Sequence, residues 1–293
     1  MKKIFLILSF IVMTLSAQAI KKYIVHDEVE FMKALGSNRV IVVDENTRLD
    51  LSIVLDNKAT CKELGIGWFD CGIELSGPEH KIISQSNYDG RELLLRYLEN
   101  LSIEGRTGAE IVVDARYAEV LIFQWCKNVS LRNITLGHLI EGSCDGGVLE
   151  LRNCENITID HCDLFGCGIY GIAAFESKNI ECKSSIIRDC SEGIIEIRDN
   201  CESVHFEQCD FYRNKSWSTL CLSGAEGTEF RECRFWQNEG DLFRLGEESL
   251  VVDCEIHHTG AILGEESEDP KMMRTSIDDS AEDLSPRNNI GPK

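Results

Sequence analysis

Hydrophobic and polar residues repeat in register along the chain from residue 100 onward, with intervals of 21 to 28 residues. Within each repeat apolar residues alternate with polar ones, as Leu101 and Ile103 do, and this period of two is typical of a β-strand. The equivalent starting points of the repeats are Asn100, Asn128, Asn156, Asn179, Ser203, Gly227 and Glu248. A repeat of this length predicts a solenoid, a propeller or another array in which each repeat forms one structural unit.

Two further columns of residues indicate that each repeat makes one coil of a solenoid. Six places after the starting points the residues are mostly cysteine, and eight places after them they are mostly large and apolar. Three short parallel strands per coil around an apolar interior predict an all-β protein with the fold of a single-stranded right-handed parallel β-helix. A leucine-rich repeat would need its own leucine and asparagine pattern, which is absent, and a propeller would need about 40 residues per repeat.

A row of asparagines marks one corner of the predicted coils. The row comprises Asn100, Asn128, Asn156 and Asn179. Their amide side chains can hydrogen-bond from coil to coil, because equivalent residues of neighbouring coils lie one strand spacing apart. The alternative is a set of unrelated asparagines in turns, where this residue is common.

The residues before the regular repeat predict a cap and less regular coils. Residues 27–36 have a short amphipathic pattern, with Asp27 as N-cap and Gly36 as C-cap. This pattern predicts a short N-terminal capping helix over the open end of the solenoid. Strand-like runs, joined by irregular loops, follow at residues 40–43, 72–75 and 81–84.

The N-terminus has the pattern of a secretory signal peptide. Residues 1–19 begin with Lys2 and Lys3, continue with an apolar run and end on small residues at Ala17 and Ala19. We therefore expect export to the periplasm or the extracellular space. No transmembrane segment is predicted once the signal is removed, because no other stretch has the roughly 18 apolar residues that a spanning helix needs.

The repeat defines one domain. Apolar columns are recognisable up to Leu263, so residues 20–263 are predicted to form the β-helix domain. Residues 264–293 lose the pattern and are acidic and polar, which predicts a disordered tail.

Charge limits the range of partners. The net charge is −20, and a field of this sign repels nucleic acid, so nucleic acid is excluded as a partner. An anionic polysaccharide would be repelled as well, unless a local basic patch or a bound cation compensates.

The chain has 14 cysteines, which in an exported protein suggests disulfides, but several positions favour another role. Four cysteines share one inward column and are predicted to form a stacked thiol ladder in the core: Cys162, Cys209, Cys233 and Cys254. Bridges remain geometrically open to three pairs: Cys126 with Cys154, Cys167 with Cys190, and Cys61 with Cys71. The spacings typical of zinc sites are absent, so no metal is predicted, including at His257 and His258.

Two neighbouring segments carry a resemblance to a known family. The segment NVSLRNITLGH at residues 128–138, followed by NITIDHC at residues 156–162, is similar to the part of pectate lyases in which a strand carries Ile-Asp-His. Residues 120–238 as a whole resemble bacterial right-handed parallel β-helix repeat proteins of the pectate-lyase-like superfamily. The resemblance implies the β-helix fold and, for the lyases, a catalytic site of calcium and arginine that is separate from this motif.

The lyase catalytic set is not matched in this chain. The resemblance implies an acidic calcium ligand before the Ile-Asp-His strand, for which Asp145 is the nearest residue. The next coil should supply two more acids but has none before Glu176, and Arg213 is followed by Asn214 and Lys215 rather than by a second arginine after a proline. We therefore expect no cofactor, with calcium as the alternative, and the fold alone does not assign the chemistry.

Two repeats are 28 residues long, and their additional residues lie in loops that should stand side by side as a loop wall. The candidate catalytic residues of the loop wall are Asp114, Arg116, His138, Glu141 and Asp145. The candidate substrate-binding residues are Tyr117 and Tyr170, because tyrosine can stack on a sugar ring. Carboxylates with His or Arg are what glycoside hydrolysis or proton abstraction requires. The alternative is a packed loop cap in which Arg116 pairs with an acid.

A charged strip on the outward side of the strand after each asparagine is a second candidate site. Its members are Asp160, Glu181, His205, Glu207 and Arg231. In the functional interpretation His205 acts as a base beside Arg231. In the alternative the strip is a set of cross-strand ion pairs on a solvated sheet.

These patterns predict a function class rather than a reaction. We expect an exported, monomeric β-helix module that contacts a polysaccharide, a cell-surface glycan or a protein and has no recognisable catalytic centre. The alternative is a polysaccharide-active enzyme, of the lyase or glycoside hydrolase type, that uses the loop wall near His138 and Asp145.

Overall fold

The structure is a computed structural model that describes residues 19–73, 75–139, 146–166, 168–198, 200–264, 270–279 and 284–287. The helices in these ranges are α1 Glu28–Ala34, α2 Ser52–Leu55 and α3 Lys58–Glu63. The strands are β1 Lys21–Val25, β2 Arg39–Val43, β3 Arg48–Asp50, β4 Gly67–Phe69, β5 Ile82–Ser86, β6 Arg91–Arg96, β7 Glu99–Gly105, β8 Glu110–Val113, β9 Leu121–Gln124, β10 Lys127–Arg132, β11 Thr135–His138, β12 Leu149–Arg152, β13 Glu155–Asp160, β14 Asp163–Phe165, β15 Tyr170–Phe175, β16 Lys178–Lys183, β17 Ile186–Arg188, β18 Gly193–Ile197, β19 Glu202–Glu207, β20 Asp210–Tyr212, β21 Lys215–Ser223, β22 Glu229–Arg231, β23 Arg234–Trp236, β24 Glu239–Leu245, β25 Leu250–Val252, β26 Glu255–His257, β27 Lys271–Met273 and β28 Ser276–Asp278.

The strands form three sheets that run along the solenoid. The first sheet has the order β1-β2-β7-β10-β13-β16-β19-β22-β25-β27. The second has the order β3-β8-β11-β14-β17-β20-β23-β26-β28, and the third has the order β4-β5-β6-β9-β12-β15-β18-β21-β24. Neighbouring strands are parallel except β5 and β6, which are antiparallel. Each regular coil contributes one strand to each sheet, which confirms the predicted all-β parallel β-helix.

Inward-facing columns predicted from the repeat fill the core. Val129 lies in register with Leu101 on one side and Ile157 on the other, and all three are at most 1% exposed. Toward the C-terminal end phenylalanines take over, and the rings of Phe206 and Phe230 stack with centroids 4.9 Å apart. Burial of these columns stabilises the fold by roughly 25 cal/mol per Å² of apolar surface.

The asparagine row forms a side-chain hydrogen-bond ladder. The amide of each coil donates to the preceding one, at 2.9 Å from Asn128 to Asn100, 2.9 Å from Asn156 to Asn128 and 2.8 Å from Asn179 to Asn156. The ladder begins one coil earlier than predicted, because Asn100 donates to Asn38 over 2.8 Å. All five residues have φ between 54° and 58°, the left-handed region that asparagine tolerates. Asn38 escaped the prediction because 62 residues separate it from Asn100.

Helix α1 packs at the N-terminal end, as predicted for the cap. The side chain of Asp27 accepts a hydrogen bond from the N–H of Glu30, and Phe31 is buried. The C-cap is Leu35, one residue before the predicted Gly36, which has a φ of +151°. No helix in the described part of the chain is long and apolar enough to cross a membrane.

The irregular coils after β2 depart from the prediction in three respects. Helices α2 and α3 were not predicted, because an amphipathic period cannot be recognised over so few residues. Strands β5 and β6 form an antiparallel pair, whereas all strands were expected to be parallel. The described residues 72, 73 and 75 of the predicted strand at 72–75 are not in a strand, and the nearest strand is β4.

The β-helix continues beyond the predicted end of the domain at Leu263. Strand β27 pairs with β25, and β28 pairs with β26, both in parallel. At residues 271–278 the structure therefore differs from the predicted disordered tail. The repeat was hard to recognise because an end coil buries little: Met272 takes the column of Val251, whereas Ile277 is 50% exposed.

The cysteines of the predicted ladder are buried in the core. Cys162, Cys209, Cys233 and Cys254 are each at most 2% exposed. The Sγ atoms of Cys209 and Cys182 lie 3.8 Å apart, and burial raises the pKa of the Cys162 thiol to about 12. Free thiols also occupy four positions that had been open to bridges, Cys61, Cys71, Cys126 and Cys154. Cys167 lies outside the described residues.

Candidate functional site

A cleft of about 910 Å³ opens on the outer face of the third sheet. Outward residues of β5, β6, β9 and β12 line it, together with the loops that precede β5 and β9. Two rows of outward residues cross these strands in register. The first row is Leu94, Ile122 and Glu150, and the second is Arg96, Gln124 and Arg152. Leu94 lines the cleft and packs with Ile122 and Ile83 in a small buried cluster, so the floor is apolar at Leu94.

Glu92 is the first of two buried carboxyl groups in the wall of the cleft. It accepts hydrogen bonds from Gln85 Nε2 at 2.8 Å, Asn87 Nδ2 at 3.0 Å and the backbone N–H of Glu119 at 3.1 Å. Burial raises the pKa of Glu92, and these hydrogen bonds oppose the rise only in part. The same carboxyl group thus joins the hairpin of β5 and β6 to the next coil.

Glu119 is the second buried carboxyl group, and the following coil holds it in place. Its Oε1 accepts a hydrogen bond from the N–H of Gly147 at 2.7 Å, while its Oε2 is buried without a hydrogen-bond partner among the described residues. Burial raises the pKa of Glu119 well above its usual range, and the negative charge of Glu150 raises it further. A Cβ atom on Gly147 would lie 2.5 Å from Oε2, so this glycine makes room for the carboxyl group. The carboxyl group of Glu119 therefore favours its protonated form.

Two arginines lie in the second row of the cleft. Arg152 forms an ion pair with Glu150 on the same strand. Arg96 is 1% exposed and donates from Nε to Gln124 Oε1 over 2.9 Å and from Nη2 to the carbonyl of Leu75 over 2.7 Å. Within the described residues its Nη1 is buried without a hydrogen-bond partner. The wall of the cleft thus contains two buried polar atoms without a hydrogen-bond partner among the described residues, Arg96 Nη1 and Glu119 Oε2.

An aromatic pair stands beside Arg96. Tyr97 and Trp125 occupy equivalent corners of neighbouring coils, and their rings stack with centroids 4.9 Å apart. The guanidinium carbon of Arg96 lies 5.1 Å from each ring centroid, within the range of a cation–π contact. Trp125 lines the cleft and remains 36% exposed, so the rim offers an aromatic surface to a ligand.

The cleft suits a polyhydroxylated ligand better than a metal ion. Hydrogen-bond donors and acceptors surround an apolar floor, and each hydroxyl of a ligand can serve as both donor and acceptor. Among the residues that the structure describes, no group of three or more His, Cys, Asp or Glu side chains is arranged to hold a metal ion. Asp145, the nearest candidate for a calcium ligand in the sequence, lies outside the described ranges.

The loop-wall residues lie in different environments. Tyr117 lines the cleft, whereas Asp114 and Arg116 are exposed and do not line it. The carboxylate of Asp89 holds this loop by accepting the backbone N–H of Arg116 at 2.8 Å and that of Tyr117 at 3.2 Å. Of these three predicted loop-wall residues, only Tyr117 therefore belongs to the cleft.

Two further loop-wall residues, His138 and Tyr170, do not line the cleft. His138 is buried with Nε2 2.8 Å from the carbonyl oxygen of Ala118, and burial lowers the pKa of its ring, which favours the neutral form. Tyr170 is half-buried, and burial raises its pKa to about 12. Glu141 and Asp145 lie outside the described residues.

The charged strip on the first sheet has the predicted register. Glu181 lies beside His205, and Glu207 lies between Lys183 and Arg231. Three close ion pairs link these residues to their neighbours: Lys183 to Glu181 at 3.1 Å, His205 to Glu229 at 3.4 Å and Arg231 to Glu229 at 2.8 Å. Asp160 contacts His161 at 2.7 Å. Such partly exposed pairs contribute about 1 kcal/mol or less each, and the strip is separate from the cleft.

Most residues of the cleft were not identified from the sequence, although a signal was present. Arg96, Gln124 and Arg152 each lie four residues before an asparagine of the ladder. Columns counted backward from the asparagines would have placed these three side chains on neighbouring strands. No comparable sequence pattern identifies Glu119. Its raised pKa results from burial against the following coil, which the residues around it in the sequence do not indicate.

Comparison with known proteins identifies a family whose model matches the region that contains the cleft. A family model described as right handed beta helix region matches residues 59–235, which is more than half of the chain. Among curated proteins the chain is similar to Pectate lyase 2 of Pectobacterium carotovorum, with 24% identity over 157 residues. That match covers 53% of this chain and 37% of the relative, so the chain spans well under half of the relative's length.

Two solved structures have a similar fold. A pectate lyase from Paenibacillus sp. 0602 gives a TM-score of 0.53 at 10% identity, covering 81% of this chain and 71% of that one. A pectate lyase variant from Xanthomonas campestris gives a TM-score of 0.53 at 12% identity, covering 92% and 84%. At these identities the likeness extends to the fold alone.

Proposed function

Because the chain belongs to the family of right-handed β-helix proteins, we propose that it is an exported module that binds a polysaccharide in the cleft over β6, β9 and β12. One observation carries the proposal. The exposed ring of Trp125 lies in the same cleft as two buried polar atoms that have no hydrogen-bond partner among the described residues, Arg96 Nη1 and Glu119 Oε2. A saccharide has an apolar ring face for the tryptophan and hydroxyls that can hydrogen-bond to polar residues lining the cleft, and its binding would give these two buried atoms partners only if their side chains turn toward the cleft.

Charge favours a neutral or weakly charged polysaccharide. The net charge of −20 repels polyanions at long range. At short range neither arginine of the cleft offers a free charge at the surface, since Arg152 pairs with Glu150 and Arg96 is buried against Gln124 and two aromatic rings. Recognition would therefore rest on hydroxyl groups rather than on carboxylates of the ligand.

Replacement of one exposed tryptophan tests the proposal. Full-length protein is titrated calorimetrically with a panel of neutral and acidic polysaccharides, with and without calcium. Trp125→Ala should weaken binding of the preferred neutral glycan about tenfold, the loss of one aromatic contact. Trp217→Ala is the matched control, because Trp217 is 91% exposed on β21 and does not line the cleft. Absence of binding across the panel, or equal loss in both variants, would rule out this site.

Glycoside hydrolysis is a second candidate function, which one observation favours. Glu119 favours its protonated form, and its pKa responds to the nearby charge of Glu150, which is paired with Arg152. Two carboxyl groups in such unlike environments are what acid–base hydrolysis of a glycosidic bond requires. New reducing ends from the bound glycan, lost in Glu119→Gln while binding persists, would establish hydrolysis. Binding without new reducing ends would leave the binding module as the function.

Export belongs to the same proposal. Residues 1–19 carry the signal-peptide pattern, so the mature chain is expected to begin at Ile20. The intact mass of protein recovered from the periplasm or the culture medium checks this. A mass that includes residues 1–19 in those fractions would contradict the predicted cleavage.

A further inference from the structure

A short C-terminal segment, residues 284–287, lies on the outer face of the second sheet. Leu284 packs against three outward side chains of successive strands, Ile186, Tyr212 and Trp236. Outer-face residues of a solenoid normally meet solvent, yet Trp236 is 1% exposed and Tyr212 is 6% exposed. The segment thus buries part of a surface that would otherwise be an apolar patch on the outside of the coil.

The backbone of the segment is bound on both sides of Pro286. Arg234 Nη2 donates to the carbonyl oxygen of Ser285 over 3.1 Å, and Asp210 Oδ2 accepts the N–H of Arg287 at 2.7 Å. Arg234 and Asp210 also bind each other through two parallel hydrogen bonds of 2.9 Å. One Asp–Arg pair therefore recognises a carbonyl and an N–H two residues apart, and the proline between them has no N–H to satisfy.

The side chain of Arg287 has its own partners. Its Nη1 donates to the carbonyl oxygen of Glu232 over 2.9 Å, and its Nη2 lies 3.7 Å from Glu255 Oε2. Each part of the segment thus has its own partner on the sheet. The leucine packs on the apolar cluster, the backbone binds the Asp–Arg pair, and the arginine side chain contacts the carbonyl oxygen of Glu232 and the carboxylate of Glu255. Such position-by-position recognition of a short chain is how peptide-binding surfaces combine main-chain affinity with side-chain specificity.

The Asp–Arg pair does not depend on the segment for its geometry. On the same sheet Arg188 binds Asp163 through two hydrogen bonds of 2.9 Å, and neither residue has a hydrogen bond to the described residues 284–287. The Arg188 side chain is 22% exposed, compared with 9% for Arg234. A pair of this kind therefore forms with or without a covering segment, so the surface at Asp210 and Arg234 is ready to receive one.

We propose that the outer face of the second sheet between Asp210 and Glu255 is a binding site for an extended peptide with a Leu-x-Pro-Arg sequence. The chain's own residues 284–287 are its resident ligand. A second copy of the chain carries the same segment and can engage the site in exchange for the resident one. The site is independent of the polysaccharide cleft, which lies on the third sheet.

A peptide competition experiment tests the site. A fluorescently labelled peptide with the sequence of residues 281–293 is titrated by anisotropy into the full-length protein and into full-length Leu284→Asp. Aspartate in place of Leu284 cannot pack on the apolar cluster, so the resident segment detaches. The variant should bind the peptide at least about tenfold more tightly than the unchanged protein, whose own segment competes at high effective concentration. A peptide carrying the same Leu284→Asp change should bind neither protein.

The controls separate recognition of the peptide from unfolding. Ile53→Asp introduces the same charge at a residue that is 62% exposed on α2, and it should behave as the unchanged protein. Asp210→Asn added to Leu284→Asp should abolish peptide binding. Thermal melts verify the fold, and Arg287→Ala replaces Leu284→Asp as the releasing variant if the latter is unfolded. The proposal is overturned if the folded releasing variant binds no more tightly than the unchanged protein, or if Asp210→Asn has no effect.

Discussion

Two stacked Tyr–Trp pairs mark two outer faces of the same solenoid, and the faces differ in what surrounds each pair. In the cleft of the third sheet Trp125 stacks on Tyr97 with ring centroids 4.9 Å apart and stays 36% exposed. On the second sheet Trp236 stacks on Tyr212 at 4.5 Å and is 1% exposed beneath residues 284–287. We call the second region the covered face. A similar stacked pair is thus exposed to solvent in the cleft and is covered by residues of the same chain on the second sheet.

The buried acids of the two regions also differ. On the covered face Asp210 is neutralised by Arg234, and the pair provides one donor and one acceptor for a peptide backbone. In the cleft Glu119 has a backbone N–H as its hydrogen-bond partner, and burial raises its pKa. The carboxylate of Asp210 is thus stabilised by a matched cation, whereas burial of Glu119 without such a cation disfavours its charged form.

Removal of Arg234 should have the largest effect on stability. The Asp210 side chain is fully buried, and loss of its partner leaves an uncompensated charge, so we expect Arg234→Ala to lower the free energy of unfolding by about 3 to 5 kcal/mol. Urea unfolding followed by circular dichroism measures the loss. Arg274→Ala is the control, because its pair with Asp253 is exposed and should contribute less than about 1 kcal/mol. If both variants lose a similar amount of unfolding free energy, then burial of the Asp210–Arg234 pair does not account for its contribution to stability.

The core could be predicted from the sequence because inward positions must be apolar. Columns counted forward from each asparagine identified the core strands, and residues such as Val129 and Ile157 are buried as predicted. Outward positions have no required residue type, so Arg96 and Arg152 could not be told from a solvated surface even though they share a register row. The pKa of Glu119 depends on packing against a later coil, which no local pattern encodes.

The covered face was unpredictable for a different reason. Residues 284–287 have no place in the repeat, and a single leucine gives no periodic signal. The hydrogen bond from Arg287 to Asp210 joins residues 77 positions apart. Contacts between residues so far apart in the sequence depend on where the C-terminal segment packs on the solenoid. Only the three-dimensional structure shows where it packs.

Gly147→Ala should have the next largest effect, and this effect is confined to the cleft. The added methyl group would lie 2.5 Å from Glu119 Oε2 and 2.9 Å from the carbonyl oxygen of Tyr170, so the carboxyl group must move. Overpacking of this kind costs about 1 to 3 kcal/mol of unfolding free energy. Combining it with Glu119→Ala should recover part of the loss, which a double-mutant cycle measures. Strict additivity would show that the glycine does not make room for Glu119.

The effect of Glu119→Gln on stability should depend on pH. Burial raises the pKa of Glu119 above its ordinary value of 4.5, so the folded state retains a proton that the unfolded chain gives up. The resulting stabilisation is fully present below the unfolded pKa of about 4.5 and is lost as the pH rises through the folded pKa. Glutamine does not ionise, so the variant should gain stability relative to the unchanged protein as pH rises, by about 1.4 kcal/mol for each unit of pKa shift.

The same acid-to-amide change on the covered face should act in the opposite direction. Asp210→Asn removes a charge that Arg234 neutralises and leaves the guanidinium without its counterion, so it should lower the unfolding free energy at neutral pH. Glu119→Gln removes an ionisable group whose charged form burial disfavours, so it should raise the unfolding free energy at neutral pH. Urea unfolding of both variants between about pH 4 and pH 8 makes the comparison direct. If both substitutions change the unfolding free energy in the same direction at neutral pH, then the matched cation beside Asp210 is not what makes the two buried acids differ.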